Sequence, residues 1–519
     1  MIDPMISTFA VLGLSIIVFI WNKVSPALVA LGVALALYFA GAVSFEQAIA
    51  GFGDPIVVYL AGLFVVSDAL EATGITAWAG SQLAGKVGEK RSRVVIALML
   101  LSAGLTALIS VNGAVAALVP VAAMLATRTG QPPSKVLIPL AFAAHAGSML
   151  TLLGTPINVL VSELSVQAGG RPFGFFEFAL VGIPLLTGTI LLCLFLGPKL
   201  LPAHASSSAP RDLSRHVQTL AAAYGLDEDS SKVSYSDGIT EVLIPPRSEF
   251  IGDIVFPGML TESKQLVVSA IHRQGEALGR AKLQAGDVLV LRGGWDAVEA
   301  KAAHPGVLPV DSPEQVRRQA VVLGPRSYVA AAVLVLMCVV LATGLVPAAI
   351  TVLAAAGVLV LARTLSVEQA QRSISLPTLV IVAGMIPLST AIQTSGAAEV
   401  IAAGLMKYLG GSSPRIMLLG IVIVVMLLGQ FISNLATVLI VAPIAVAVAQ
   451  STGVSPMPMM MAITVAGAAS FLTPVATAGN LMIQEPGGYS FGDYWKLGLP
   501  NLLLFGLVAV VLVPIIWPF

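Results

Sequence analysis

Charge is scarce in this chain of 519 residues. Asp, Glu, Lys and Arg make up 10% of it, and 27 basic residues balance 27 acidic ones to a formal net charge of zero. Bulk charge therefore implies neither a nucleic acid nor an anionic surface as partner. The two cysteines, Cys193 and Cys338, both lie in apolar runs, which excludes a disulfide framework and a Cys-x-x-Cys metal site. With five histidines and nothing resembling a Ser/His/Asp set, a His-Glu-x-x-His or a P-loop, little speaks for a membrane enzyme. A ligand-gated channel would want a Thr-Val-Gly-Tyr-Gly filter, and none is present. The opening MIDPMISTFAVLGLSIIVFIW has no basic n-region and no small-residue cleavage site, so it is expected to span a membrane rather than be removed.

What the chain has in quantity is hydrophobicity. Apolar residues reach 57% and mean hydropathy is +0.94. With several apolar stretches of roughly 17–22 residues, this places the chain among all-α, polytopic membrane proteins. A multi-pass protein of the bacterial inner membrane is expected, with lipid as its surroundings.

The stretch Ser44-Phe-Glu46-Gln47-Ala48 returns as Ser366-Val-Glu368-Gln369-Ala370. Gly62 returns as Gly384, Gly74 as Gly396, Asn112 as Asn434 and Asn158 as Asn480, each pair 322 positions apart. One offset kept over so long a stretch marks two copies of one unit. Membrane repeats are expected at 1–202 and 319–519. Between them, residues 203–318 hold much of the charge, together with short β-branched runs split by Pro and Gly. That composition predicts one small α+β domain, with its core at about 235–295.

Each copy carries two apolar stretches with polar breaks. The first, 94–128 and 415–450, is too long for one straight helix and reads as a re-entrant hairpin tipped by Asn112 or Asn434. The second is broken at Thr155-Pro156 in one copy and Thr473-Pro474 in the other. If the hairpins do not cross, each copy has five spans, an odd number, and the repeats are inverted. Placing both termini outside puts thirteen Lys and Arg residues, from Lys23 to Arg372, on the cytoplasmic side against Arg171, Lys407 and Arg415 outside, as the positive-inside rule prefers. The inserted domain is then cytoplasmic.

Irregular backbone at membrane depth is tolerated only where protein or a water-filled cavity satisfies it. Four breaks are therefore expected to meet around one polar site, where restarting helices offer N–H groups to an anion. Substrate contacts are expected from Asn112, Gly113, Thr155, Pro156, Ser433, Asn434, Thr437, Thr473, Pro474 and Thr477. Oxygens of Ser110, Asn112, Gly154, Asn158, Ser433, Asn434 and Asn480 could hold Na⁺ as coupling ion, with no other cofactor. Asp68, Glu71 and Glu163 would matter instead for a proton-coupled exchanger. His145, alone among small residues in AFAAHAGSML, is read as a packing or hydrogen-bonding residue.

These motifs resemble the divalent anion/sodium symporter family of dicarboxylate, citrate and sulfate carriers, within the ion transporter superfamily. The matching residues are Ser433-Asn434-Leu435-Ala436-Thr437, Val111-Asn112-Gly113 and Gly154-Thr155-Pro156-Ile157-Asn158, with Asn480 closing the last motif's partner. The resemblance implies an elevator-type symporter of a small anion, dimeric, with a moving unit from Pro55 to Glu163 and from Pro377 to Glu485. Both hydroxyls of the family's Ser-Asn-Thr tip are missing from the first tip, and Leu435 replaces one Thr in the second. The insert resembles an RCK C-terminal (TrkA-C type) module in EVLIPPRSEFIGDIV and GEALGRAKLQAGDVLVL. That likeness implies either a cytosolic small-molecule regulator, bound near Pro245, Pro246, Arg247, His272 and Arg273, or a part that only supports the homodimer.

Overall fold

The computed structural model describes residues 3–21, 23–86, 90–203, 224, 237–311, 323–397, 400, 413–474 and 476–519. The linker expected from 204 to 236, apart from Tyr224, and the connector around Lys407 lie outside them. By its internal contacts the chain divides into two compact units. One comprises Met1–Ala69, Leu83–Pro210 and Ala330–Phe519, and the other Leu70–Gln82 and Arg211–Val329.

The first copy contributes α1 (Pro4–Trp21), α2 (Pro26–Phe39), α3 (Phe45–Ala50), α4 (Pro55–Ala72), α5 (Ile75–Lys86), α6 (Arg91–Thr106), α7 (Val111–Arg128), α8 (Leu137–Gly147), α9 (Pro156–Gln167) and α10 (Ala179–Phe195). After α11 (Trp295–Ala302) in the insert, the second copy repeats the order. It runs α12 (Pro325–Thr343), α13 (Ala348–Leu361), α14 (Val367–Ser373), α15 (Leu376–Thr394), α16 (Pro414–Leu428), α17 (Asn434–Thr452), α18 (Pro456–Gly467), α19 (Ala478–Gly487) and α20 (Tyr494–Leu507). Ser44 caps α3 in a reciprocal box with Gln47, and Ser366 caps α14 in the same way with Gln369. One local signal therefore starts the same element twice.

Packing also respects the repeat. A Cβ on Gly384 of α15 would lie 2.7 Å from the Ala30 carbonyl of α2, and one on Gly62 of α4 would lie 3.0 Å from Val352 Cγ1 of α13. Ala30 and Val352 are themselves 322 positions apart. Each copy's α4-type helix thus uses a glycine to press against the second helix of the other copy, as close approach of two backbones requires.

Among the described residues, five helical stretches are long and apolar enough to cross a membrane: Phe45–Ala72, Pro325–Thr343, Leu376–Thr394, Asn434–Thr452 and Phe491–Ile516. Of the most apolar window of α17, 72% is buried within the protein, against 28% for α12. The second arm of the hairpin is therefore packed in protein, whereas α12 presents its side chains outward.

In the insert, a five-stranded sheet runs β4-β3-β6-β1-β7, with β1 (Asp237–Leu243), β3 (Leu266–Arg273), β4 (Glu276–Ala277), β6 (Val288–Gly294) and β7 (Leu308–Pro309); β2 (Ile254–Val255) pairs with β5 (Ala281–Lys282). Val242, Ile244, Leu266, Val268, Leu289, Leu291 and Val298 form its core. Pro246 and Arg247 are exposed beyond β1, next to the half-buried Pro245. Arg273 is engaged: its guanidinium donates from Nε (2.7 Å) and Nη2 (2.8 Å) to the buried carboxylate of Asp287 and from Nη2 to the Lys282 carbonyl (2.9 Å). Its neighbour His272 packs edge-on against Tyr224 at 4.6 Å.

The Arg273 guanidinium holds the Asp287 carboxyl below the usual carboxylate range, helped by the Gln284 N–H. A depressed folded-state pKa contributes stability above the unfolded value, and that stability is lost as pH falls through the folded one. Asp287→Asn is expected to cost the sheet about 2 kcal/mol near neutral pH. Hydrogen exchange of β3 and β6 in the intact protein should quicken at pH 7, with the gap to wild type closing below about pH 4. Equal exchange at pH 7 would dismiss the pair as a brace.

Candidate functional site

Both hairpins turn over short tips, 107–110 between α6 and α7 and 429–433 between α16 and α17. The returning helices are capped by serines. Ser110 Oγ accepts from Gly113 N (3.1 Å), and Ser433 Oγ accepts from Ala436 N (3.4 Å). Asn112 and Asn434 themselves sit in the first helical turn, so of the cap-forming residues Asn112 and Ser433-Asn434 only Ser433 caps, and Ser110 takes the place of Asn112. A residue already in helical backbone projects its side chain outward instead of folding it over its own N–H groups.

The broken helices restart at Pro156 and Ala478. Thr155 caps α9, accepting from Ile157 N (3.4 Å), and Thr477 caps α19, accepting from Asn480 N (3.2 Å). Thr473-Pro474 is therefore not the counterpart of Thr155-Pro156. Thr473 stands in the place of Thr151, four residues before the cap, and its hydroxyl donates to the Gln430 carbonyl at 3.0 Å, as Thr151 donates to Ala107. Proline suits the first helical position, which is why the dipeptide drew the eye. The second copy uses Ala478 there.

Asn158 and Asn480 hold the two breaks in the same way. Asn158 Nδ2 donates to the carbonyls of Ser148 (2.9 Å) and Thr151 (2.8 Å); Asn480 Nδ2 donates to those of Ser470 (2.8 Å) and Thr473 (3.2 Å). All four carbonyls follow a helix end and have lost their intrahelical partners. Each amide ties the unwound segment to the helix that follows it.

Tips and breaks meet around one cavity of about 290 Å³, close to the lower bound of roughly 300 Å³ for small-molecule pockets. Of the residues picked out in the sequence, Ser110, Asn112, Gly154, Thr155, Pro156, Ser433, Asn434 and Thr477 line it. Gly113, Asn158, Thr437, Thr473, Pro474 and Asn480 stand behind the wall. Asn158, Thr437 and Asn480 are fully buried. The N-termini of α7, α9, α17 and α19 all open on this space, and their partial positive charges favour an anion.

No carboxylate lines the cavity, so Asp68, Glu71 and Glu163 are outside it. Among the described residues, no three His, Cys, Asp or Glu side chains cluster as a metal site. A cation would have to be held by hydroxyl, amide and carbonyl oxygens. Asn158 Oδ1, buried without a hydrogen-bond partner, is suited to that.

Ser67, Ser470 and Gln430, in the wall or near it, are among the residues that the sequence reading did not single out. Ser67 lines the cavity beside Ser110, whose N–H it accepts at 3.4 Å. Ser470, behind the wall, donates to Asn434 Oδ1 and to the Gly429 carbonyl. Gln430 spans the second tip, donating to the carbonyls of Met426 and Ala469 (both 2.9 Å) and accepting from Leu472 N (2.9 Å). His145, read as a packing or hydrogen-bonding residue, is itself part of the lining. Ser148 and Ser470 do share the 322 offset, a usable signal; Gln430 faces Leu108 in the repeat and offered none.

The model of the citrate transporter family (CitMHS) matches residues 16–465 and, in a second overlapping match, 338–519. The two matches begin 322 positions apart, the period of the internal repeat. An uncharacterised transporter of Escherichia coli, YfbS, is 28% identical over 99% of both chains. A sodium/sulfate cotransporter of Chlamydomonas reinhardtii is 25% identical over 53% of this chain and 29% of its own length. The crystal structure of the Alcanivorax borkumensis YdaH transporter shares the fold at a TM-score of 0.50 and 15% identity, covering 96% of this chain and 98% of that one. With a family match over most of the chain, mostly helical architecture and apolar helices of spanning length, the protein is a membrane transporter and belongs to the citrate transporter family.

Proposed function

We propose that the chain is a secondary active symporter that moves a small oxyanion, a di- or tricarboxylate or sulfate, together with Na⁺. The observation that carries this reading is the cavity where two capped hairpin tips and two broken helices from both copies converge. Four helix N-termini supply the field for an anion. Ser, Thr and Asn side chains supply hydrogen bonds, and carbonyls freed at the breaks supply oxygens for a cation. Relatives named as sodium/sulfate cotransporters and as a sodium-dependent high-affinity dicarboxylate transporter support the substrate class.

Sodium is favoured as the coupling ion because the cavity and the breaks behind it offer hydroxyl, amide and carbonyl oxygens, the ligands a hard cation takes. Movement is of the elevator type: the broken helices and hairpins travel against the uninterrupted α1, α2, α10, α12, α13 and α20. The inserted domain lies on the cytoplasmic side in this reading.

Uptake of radiolabelled sulfate, succinate and citrate into proteoliposomes, with and without an inward Na⁺ gradient, tests the reading. Uptake of at least one anion that collapses when the gradient is dissipated is expected. Uptake indifferent to Na⁺ but driven by a pH gradient would replace the coupling ion, and uptake of none of the three would refute the substrate class.

A further inference from the structure

The two half-sites share their central polar positions. Asn112 pairs with Asn434 and Thr155 with Thr477 at a common spacing of 322, and each half has a serine cap at its hairpin tip. A site built only from these would look much the same to the two ends of a symmetrical anion. Several lining residues break the match: Ser67, Ser148, Thr378 and His145 have no counterpart in the lining, and of these His145 carries the largest polar side chain.

His145, in the last turn of α8, is the only ionisable side chain among the residues lining the cavity. Its counterpart in α18 is Gly467, where a Cβ would come within 2.7 Å of Val438 Cγ2. The second half-site has no room for a side chain at that point. The imidazole is held from three directions: its Nε2 lies 3.3 Å from Thr477 Oγ1 at the cap of α19, the Asn480 side chain is within hydrogen-bonding reach, and its ring stands edge-on to Phe471 at 5.8 Å. Although only 4% exposed, the residue reaches the cavity. Among the described side chains, the elements packed against α8 carry Arg91 and Arg93 on α6, Cys193 on α10, Glu485 on α19 and, beside its first turn, Lys135, and none of these lines the cavity.

We infer that His145 is a specificity-determining residue: its imidazole N–H is an extra, one-sided donor for a carboxylate that the matched donors leave unbound. An imidazole has at least one N–H in every protonation state, so the donor is always present. A substrate with two or three carboxylates spread along a carbon chain can use the matched Asn and Thr groups at one point and His145 at another. A compact tetrahedral oxyanion such as sulfate cannot span both. The inference rests on the anion-transport reading above and narrows it to extended polycarboxylates.

Two variants separate a donor from a packing ring. His145→Gln keeps an N–H donor and loses the ring, whereas His145→Phe keeps an aromatic contact with Phe471 and loses the donor. Uptake of citrate, succinate and sulfate by each would be measured in proteoliposomes, with thermal unfolding in detergent followed alongside. In His145→Phe, KM for citrate or succinate is expected to rise about tenfold, the worth of one hydrogen bond to a charged group. KM for sulfate should rise far less, and kcat should stay within about threefold of wild type. His145→Gln should keep most of the wild-type ratio of KM values. The opposite order, with the Phe variant normal and the Gln variant impaired, would overturn the inference in favour of packing, as would an equal change for all three anions. Failure of the wild type to take up any of the three would instead refute the anion-transport reading on which it rests.

Discussion

Replacing Asn480 by Leu is expected to cut transport at least tenfold and to lower the thermal midpoint of the solubilised protein, and Asn158→Leu is expected to do the same in the other copy. Leucine matches asparagine in size but has no amide. Each substitution removes the amide that donates to two buried carbonyls, Ser470 and Thr473 in one copy and Ser148 and Thr151 in the other, and of these Thr151 keeps only a long bond from Gly154 N at 3.4 Å. An unsatisfied buried acceptor costs about 1–3 kcal/mol, and water cannot relieve it at a position with no exposure. The unwound segments before Thr155 and Thr477 would then shift, carrying two of the four helix N-termini away from the cavity. Because the arrangement is repeated, the two variants should fail alike. Wild-type uptake and an unchanged midpoint in either would show that the amide is not what holds the break.

Much of this architecture was legible because it is written twice. The offset of 322 located the copies, the sheet-forming insert stood out by its charge and β-branched runs, and the pairs Asn112/Asn434 and Asn158/Asn480 marked the polar breaks. What failed was the assignment of roles within a break. Asn112 and the pair Ser433-Asn434 are good caps by preference; Ser433 does cap its helix, but in the first copy Ser110 caps in place of Asn112, its short hydroxyl reaching an N–H three residues on. Thr473-Pro474 resembled Thr155-Pro156 as a dipeptide, but position within the repeat, not composition, decides which Thr meets a helix start. The two features that differ between copies were the hardest to see. Gln430 and His145 gain their meaning only from neighbours some 30 to 330 positions away, such as Ala469 and Thr477, and a lone polar residue in an apolar run ordinarily reads as packing.

The capping serines also sharpen what the tip asparagines do. Since Ser110 and Ser433 already satisfy the first N–H groups of α7 and α17, removing the Asn112 or Asn434 side chain should leave both helices intact. Asn112 is exposed to the cavity, and Asn434 has its Oδ1 engaged by Ser470, which leaves its NH₂ group to donate. Each amide is therefore free to bind an anion, at a place where hydrogen bonds to charge are worth about 1.5–3 kcal/mol apiece. Asn112→Ala and Asn434→Ala are accordingly expected to remove nearly all uptake, at least tenfold each, while expression, assembly and thermal midpoint stay close to wild type. The serine variants should behave the other way. Ser110→Ala and Ser433→Ala should lower stability by about 1 kcal/mol, the usual cost of a lost cap, and retain measurable uptake. If both alanine substitutions at the asparagines left uptake near normal, the cavity between the tips would not be where the substrate binds. If instead the asparagine variants failed to assemble, the asparagines and not the serines would be carrying the helix starts.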